Sequence, residues 1–288
     1  MTANVGTIRS KGERMEKQAS DDGVVTIGYE VTDRVAMVTL QRPESLNALT
    51  FEMEELLVSR LADADADPGV GCVVVTGAGR GFCAGDDVKA MWDNTQMADS
   101  LAGLATPRAA ATPLFEVMLG MLTPTVAAVN GPAIGIGMDL ALLCDIRIAS
   151  PQARFSQRYA AMGLVADLAG VWLLPQLVGR SAAAELLLTA DIVDADRAAD
   201  LGLVSRLVGA DDLLPEAVQL ARRIAAMPSL AVEATKELLR RSVGRPASDV
   251  GDLGALRGVR LHALFQTADH QEAVRAYAER RSPRFEGR

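Results

Sequence analysis

One pattern constrains this chain more than any other. Cys72-Val73-Val74-Val75-Thr76 is a continuous apolar run, too short for a helix and without polar alternation, which predicts a strand buried on both faces. Glycine follows it, and then a new helix. The same unit returns at Thr125–Val129, followed by the loop Asn130–Gly137 and a helix from about Met138. A strand buried on both faces needs cover on both sides. The repeat therefore points to an α/β chain with a mostly parallel sheet.

The remaining elements fit around that core. Two β-rich runs, Val24–Val31 and Val35–Leu40, flank Thr32-Asp33-Arg34 and predict a hairpin. Thr50 offers an N-cap to a helix that carries Met53, Leu56, Leu57 and Leu61 on one face, and Asp67-Pro68-Gly69 ends it. Further strands fit Asp145–Ala149 and Leu203–Val208. From Asp211 onward the pattern is helical, with Leu213, Ala217, Leu220 and Ile224 on one stripe. Asp269 and Glu272 resemble a capping box at the start of a last helix carrying Ala273, Val274 and Tyr277. No linker-like tract divides these parts. The expected organisation is a disordered leader at 1–22, an α/β core over 23–210 and a helical region over 211–288.

Composition excludes several classes. With 29 Lys+Arg against 37 Asp+Glu the net charge is −8, and the basic residues are spread along the chain, so there is no electrostatic footprint for duplex nucleic acid. Cys72, Cys83 and Cys144 are odd in number and widely spaced, which suits neither a disulfide framework nor a zinc ribbon and predicts a reducing, cytoplasmic setting. The two histidines, His262 and His270, lie near the C-terminus, far from any nucleophile for a triad. The uncharged run Val117–Met138 is interrupted by Thr123-Pro124-Thr125 and Asn130-Gly131-Pro132, so it reads as helix end, buried strand and loop rather than a membrane span. The leader lacks the apolar centre of a secretory signal.

Two glycine-bearing loops could carry chemistry. Thr76-Gly77-Ala78-Gly79-Arg80-Gly81 begins like a dinucleotide loop, but it follows the third strand, and Tyr159 is followed four residues later by Gly163, so the Tyr-x-x-x-Lys of short-chain dehydrogenases is absent. The second loop is Asn130-Gly131-Pro132-Ala133-Ile134-Gly135-Ile136-Gly137. Backbone N–H groups that open a helix lack intrahelical partners and sit at the positive end of its dipole. Two such loops converging would aim two donors at one oxygen, as an enolate or oxyanion requires, although glycine in such turns also serves plain packing.

Specific strings then accumulate in order. Arg42-Pro43 with Asn47-Ala48-Leu49, Gly81-Phe82-Cys83-Ala84-Gly85-Asp86, Ala127-Ala128-Val129-Asn130-Gly131, Cys144-Asp145, Leu186–Val204 and Arg281–Phe285 together resemble the crotonase superfamily, the enoyl-CoA hydratases and isomerases. The resemblance runs from about Val24 to the C-terminus. It implies a spiral of β-β-α repeats with a helical C-terminal region that trimerises, often as a dimer of trimers. It also implies binding of acyl-CoA and a thioester enolate held by two backbone N–H groups, which carry over to Ala84 and Ile136.

The acid/base positions depart from the family's hydratases, whose two glutamates hold a water. Here those positions are Asp139 and Tyr159, and a phenol with an ordinary pKa of about 10 is a poor base at neutral pH. A different carboxylate, Asp167, lies in Gly163-Leu164-Val165-Ala166-Asp167 before Trp172-Leu173-Leu174-Pro175, which resembles dienoyl-CoA isomerases and the ring-opening isomerases of phenylacetyl-CoA breakdown. By that resemblance Asp167 is the general base, with desolvation against an acyl pocket raising its basicity. Asp139 is either a second acid/base partner or a residue that orients the first helical turn. Tyr159 reads as pocket wall. The Tyr159–Asp167 spacing also resembles the family's aryl-CoA dehalogenases, in which the aspartate is a nucleophile.

For the rest of the substrate, the resemblance sets Leu46, Asn47 and Ala48 against the pantetheine and Asp86 in the site. Lys89, Arg280 or Arg281 would meet the adenosine phosphates, and the segment Trp92–Phe115 would line the acyl pocket. The implied activity is double-bond isomerisation of an enoyl-CoA without metal or redox cofactor, coenzyme A being part of the substrate. The alternatives are a hydratase in which Asp139 and Asp167 hold the water, and a non-catalytic acyl-CoA-binding protein.

Overall fold

The computed structural model describes residues 14–15, 26–88, 112–243 and 247–288. Among these residues the larger sheet orders β1 (Arg14–Met15), β2 (Ile27–Thr32), β3 (Val35–Leu40), β4 (Cys72–Gly77), β5 (Thr125–Val129), β7 (Ile146–Ala149) and β10 (Arg206–Leu207). A smaller sheet orders β6 (Pro132–Ile134), β8 (Arg154–Ser156) and β9 (Val193–Asp194). Strands β3, β4, β5, β7 and β10 are parallel neighbours, as the buried apolar runs require. The hairpin β2–β3 turns on Asp33 and Arg34, whose φ of 51° and 63° give the left-handed two-residue turn that matches strand twist.

Three expectations for the sheets need correction. Arg14 and Met15, placed in the leader, pair antiparallel with Val31 and Glu30, because an edge strand offers unpaired backbone groups. The rest of the leader lies outside the described residues. The loop Asn130–Gly137 contains β6, and its helix begins at Ile136 rather than near Met138. Strand β10 is shorter than Leu203–Val208, although Ser205 N and Val208 N extend its pairing to Arg147 O and Ala149 O.

Side-chain alternation sends each buried strand to two cores. Ala36, Val38, Val73, Val75, Ala127 and Val129 meet the helices α1 (Phe51–Ala66), α2 (Pro113–Gly120) and α3 (Ile136–Leu143). Val35, Cys72, Val74, Val126, Ala128 and Ile148 meet Leu213, Ala217, Ala221 and Ala225. Thr50 caps α1 by accepting from Met53 N at 3.3 Å, and Asp67 closes its other end. Each of β5 and β7 enters the larger sheet, and the strand after it, β6 or β8, enters the smaller one. A helical segment follows each pair, so the chain winds as a spiral of β-β-α turns. Helices α4 (Leu174–Val178), α5 (Arg180–Thr189) and α6 (Ala195–Asp200) complete this part.

Helices α7 (Leu213–Ala225), α8 (Ser229–Ser242), α9 (Val250–Phe265) and α10 (Ala268–Glu279) form the C-terminal region, and α7 covers the second face of the sheet. Its buried stripe is Leu213, Ala217, Ala221 and Ala225, with Leu220 and Ile224 packed at the edge. Helix α8 docks by charge. Lys236 Nζ lies 2.7 Å from Asp145 Oδ2, and Arg240 donates to the carbonyls of Met118, Leu119 and Met121 at the end of α2.

Helix α10 departs from expectation. Thr267 is its N-cap, because Asp269 accepts from Glu286 N and Gly287 N while Glu272 holds Arg281, so both carboxylates bind the chain end instead. Val274 and Tyr277 are exposed rather than packed, and Ala276 is buried. Among the described residues no helix is long and apolar enough to cross a membrane.

Candidate functional site

The first glycine loop is held by two asparagines. Asn47 takes Arg42 N on its carbonyl oxygen at 2.9 Å and gives its amide to Ala78 O and Gly81 O at 2.9 and 2.8 Å. Asn130 donates to Gly77 O, Gly79 O and Gly81 O. Leu46 and Asn47 both have positive φ, a left-handed pair that costs a leucine more than an asparagine. Asn47 is wholly buried in this task, so its side chain fastens the loop and does not face a ligand, contrary to expectation. Leu46 is half-buried and Ala48 is buried beside it, and the Ala48 carbonyl accepts from Arg42, which also pairs with Asp87 at 2.9 Å.

The two loops meet along their backbones. Phe82 N and Cys83 N both donate to Pro132 O, and Ile134 N donates to Cys83 O at 2.9 Å. The approach leaves no room at Gly137, where a Cβ would stand 2.1 Å from Cys83 O. Gly85, with φ of +107°, then turns the first loop past Ile134 O.

One expected donor must be reassigned. Ala84 N donates to Leu46 O at 3.0 Å, because the left-handed Leu46 brings its carbonyl under the loop, so this N–H is spent within the protein. Two residues on, Asp86 N meets no backbone carbonyl among the described residues and lies near only its own carboxylate. Ile136 is the first residue of α3, where its N–H has no intrahelical acceptor. The amides left open in the two loops are therefore those of Asp86 and Ile136.

Behind Ile136 lies a hydrogen-bonded trio. Asp139, 2% exposed, accepts from Gln157 Nε2 on Oδ1 at 2.9 Å and from the Tyr159 hydroxyl on Oδ2 at 2.7 Å. Burial pushes the Asp139 carboxyl up to about 7, against the two hydrogen bonds that favour its charge. Burial, and then the Asp139 carboxylate, push the Tyr159 phenol well above the usual range. The phenol ring rests against Gly135, whose Cβ would come 3.9 Å from Cζ.

Asp167 is half-buried, and its Oδ1 accepts from Leu168 N at 2.6 Å. Its charge adds to the upward shifts of Asp86, Asp139, Glu54 and Tyr159, which sets its carboxylate among them. Glu54 is pushed up to about 7, first by burial and then by Asp86 and Asp167, and its Oε1 is buried without a hydrogen-bond partner. Phe115 and Trp172 meet edge to face at a centroid distance of 6.3 Å.

The structure thus brings together Asp86, Ile136, Asp139, Tyr159 and Asp167. Lys89 and residues 92–111 lie outside the described residues. Arg281 pairs with Glu272 and Glu279 at 2.9 and 2.6 Å, which fastens the chain end, and Arg280 is exposed at the left-handed C-cap of α10. Sequence reasoning missed Gln157 and Glu54 as members of the site. Gln157 has no local signature, and Glu54 reads locally as an ordinary first-turn glutamate.

Comparison with known proteins identifies the family. The family profile described as enoyl-CoA hydratase/isomerase matches residues 30–288. The "probable enoyl-CoA hydratase" of Mycobacterium bovis is 38% identical over 261 residues, covering 90% of this chain and 97% of that protein. The 1,2-epoxyphenylacetyl-CoA isomerase of Escherichia coli is 35% identical over 259 residues, covering 88% and 95%. The crystal structure of an enoyl-CoA hydratase from Mycobacterium smegmatis superposes with a TM-score of 0.79 at 30% identity, covering 90% of this chain and 98% of that one. With the profile spanning nearly the whole chain and the β-β-α spiral carrying two converging amide loops, this protein belongs to the enoyl-CoA hydratase/isomerase family.

Proposed function

We propose that the protein moves a carbon–carbon double bond in an acyl-CoA through a thioester enolate. The N–H groups of Asp86 and Ile136 receive the enolate oxygen, and Asp167 carries a proton between carbons. The observation that carries this reading is the unequal state of the two aspartates. Both oxygens of Asp139 are occupied by Gln157 and Tyr159, whereas Asp167 commits one oxygen, to Leu168 N, among the described residues. Two amides at a developing oxyanion supply the electrostatic stabilisation, and one mobile carboxylate suffices for a proton shift. Coenzyme A is part of the substrate in this chemistry, which calls on no metal or redox carrier.

Hydration is the second reading, favoured by the hydratase names of relatives such as that from Mycobacterium bovis. Against it, Asp139 is 2% exposed behind Gln157 and Tyr159, which each hold one of its oxygens. The test is to incubate the protein with a 3-enoyl- or dienoyl-CoA and, separately, with a 2-enoyl-CoA. The isomerase reading expects the conjugated or shifted isomer; rapid formation of 3-hydroxyacyl-CoA instead ends it.

A homotrimer or a dimer of trimers belongs to the same proposal. Val250, Val259, Phe265, Val274 and Tyr277 expose apolar surface on α9 and α10, which supports association through this region. Sedimentation of the protein at micromolar concentration tests it, a monomer arguing against. The three buried free thiols suit a cytoplasmic, reducing setting. Arg280 and Arg281 are the described candidates for the adenosine phosphates.

A further inference from the structure

We infer that Tyr159 is a second catalytic residue, its phenol passing a proton between Asp139 and the α-carbon of the acyl group, with Asp139 and Gln157 acting behind it as positioning residues. The inference rests on the proposed enolate chemistry and assigns its second proton. Asp139 cannot reach a substrate itself, being 2% exposed with Gln157 at 2.9 Å on one oxygen and Tyr159 at 2.7 Å on the other. Gln157 is itself 1% exposed, so the carboxylate is clamped in one plane. The half-buried phenol is the part of this trio that faces outward, and it leans on Gly135, next to the Ile136 amide. An enolate oxygen held by that amide has its α-carbon two bonds away, and the phenol beside Gly135 is the group of the trio placed to meet it. Asp167 is then left to the remote carbon.

The transfer balances. Asp167 takes a proton from the γ-carbon, and the electron pair moves through the conjugated system to the thioester oxygen. With Asp139 protonated, the 2.7 Å contact reverses so that its carboxyl donates to the phenol oxygen; on collapse the α-carbon bonds the freed Tyr159 hydroxyl proton as that O–H breaks, and the phenol oxygen takes the Asp139 proton. Phenolate never accumulates, which fits a phenol surrounded by Asp139, Asp86 and Asp167. Exchange with water then reloads Asp139 and unloads Asp167. Run backward, the same route carries an α-proton to Asp139.

Among the described residues the groups facing Asp139 are few. Tyr159, Asp86 and Asp167 are the titratable ones that act on it. The packed segments Ala169–Leu173 and Pro132–Ile134 carry none, and Glu116 on α2 is exposed. A carboxyl raised to about 7 by burial is suited to hold the proton that the relay delivers.

The test follows deuterium incorporation into an enoyl-CoA in heavy water. Tyr159→Phe and Asp139→Asn should each slow exchange at the α-carbon by about 100-fold or more while exchange at the γ-carbon continues, and the double variant should be no slower than either. The α-exchange of the wild type should fall as pH rises through about 7, where Asp139 loses its proton, a dependence absent from Asp139→Asn. A second readout needs no turnover. The chain has three tyrosines, and with a ¹³Cζ-tyrosine label the Tyr159 resonance should shift with a midpoint near 7, a shift that Asp139→Asn removes. Wild-type α-exchange in Tyr159→Phe, equal loss at both carbons, no α-exchange in the wild type, or no such titration overturns the relay. Asp167→Asn with undiminished γ-exchange instead overturns the role of Asp167 and leaves the relay standing.

Discussion

Gly137 and the Cys83 carbonyl are packed so closely that any side chain between them would overlap the backbone, a Cβ coming within 2.1 Å. This contact fastens the loop after β4 to the start of α3 and so fixes the spacing of the Asp86 and Ile136 amides. Gly137→Ala must push the loops apart. A loss of about 3 kcal/mol in unfolding free energy is expected, with turnover falling far more than substrate affinity. Urea titration beside steady-state kinetics checks both, and an unimpaired turnover would show that the amide spacing is unimportant.

Glu54 gives a pH-dependent prediction. The folded protein keeps the Glu54 proton up to about pH 7, whereas the unfolded chain releases it near 4.5. Stability therefore falls as pH rises through that window and levels off above it, since the unfolded state binds fewer protons there. Glu54→Gln removes the buried charge and should stabilise the protein by on the order of 2 kcal/mol at pH 8.5, and by almost nothing at pH 4. Denaturation curves at the two pH values decide; an equal effect at both would mean that Glu54 is charged and solvated.

Lys236 and Asp145 hold α8 on the core. Lys236 also donates to Thr123 O at 2.6 Å, while Asp145 accepts from both Thr125 N and its hydroxyl. Lys236→Met strands the aspartate and should cost about 3 kcal/mol, with the double variant Lys236→Met, Asp145→Asn losing less than the two single losses combined. Thermal unfolding of the four proteins gives the coupling, and strict additivity would show that the pair does not act as a unit.

What the sequence reveals and what it hides divide by range. The turn at Asp33–Arg34, the Thr50 cap and the strand Cys72–Gly77 are written in neighbouring residues, and each forms where local chemistry points. Strand β6 escapes because its three residues sit in a glycine loop without periodicity, and its partners, β8 and the loop at Cys83, lie far along the chain. Which amide stays open is equally nonlocal: the Leu46 carbonyl claims Ala84 N and leaves Asp86 N. Asn47 marks the family plainly, yet its task is to tie Arg42, Ala78 and Gly81 together. On α10 the threonine outside the expected box takes the cap, since Asp269 and Glu272 have stronger partners in the chain end.

The most direct measurement is double-bond migration in Asp167→Asn, with the affinity for an acyl-CoA measured on the same preparation. Loss of the proton carrier should lower kcat by about 10²–10⁴ while the thioester binds as before, because the Asp86 and Ile136 amides are untouched. Full turnover with retained binding would contradict the mechanism, and absence of any turnover in the wild type with acyl-CoA still bound would make the protein a binding module.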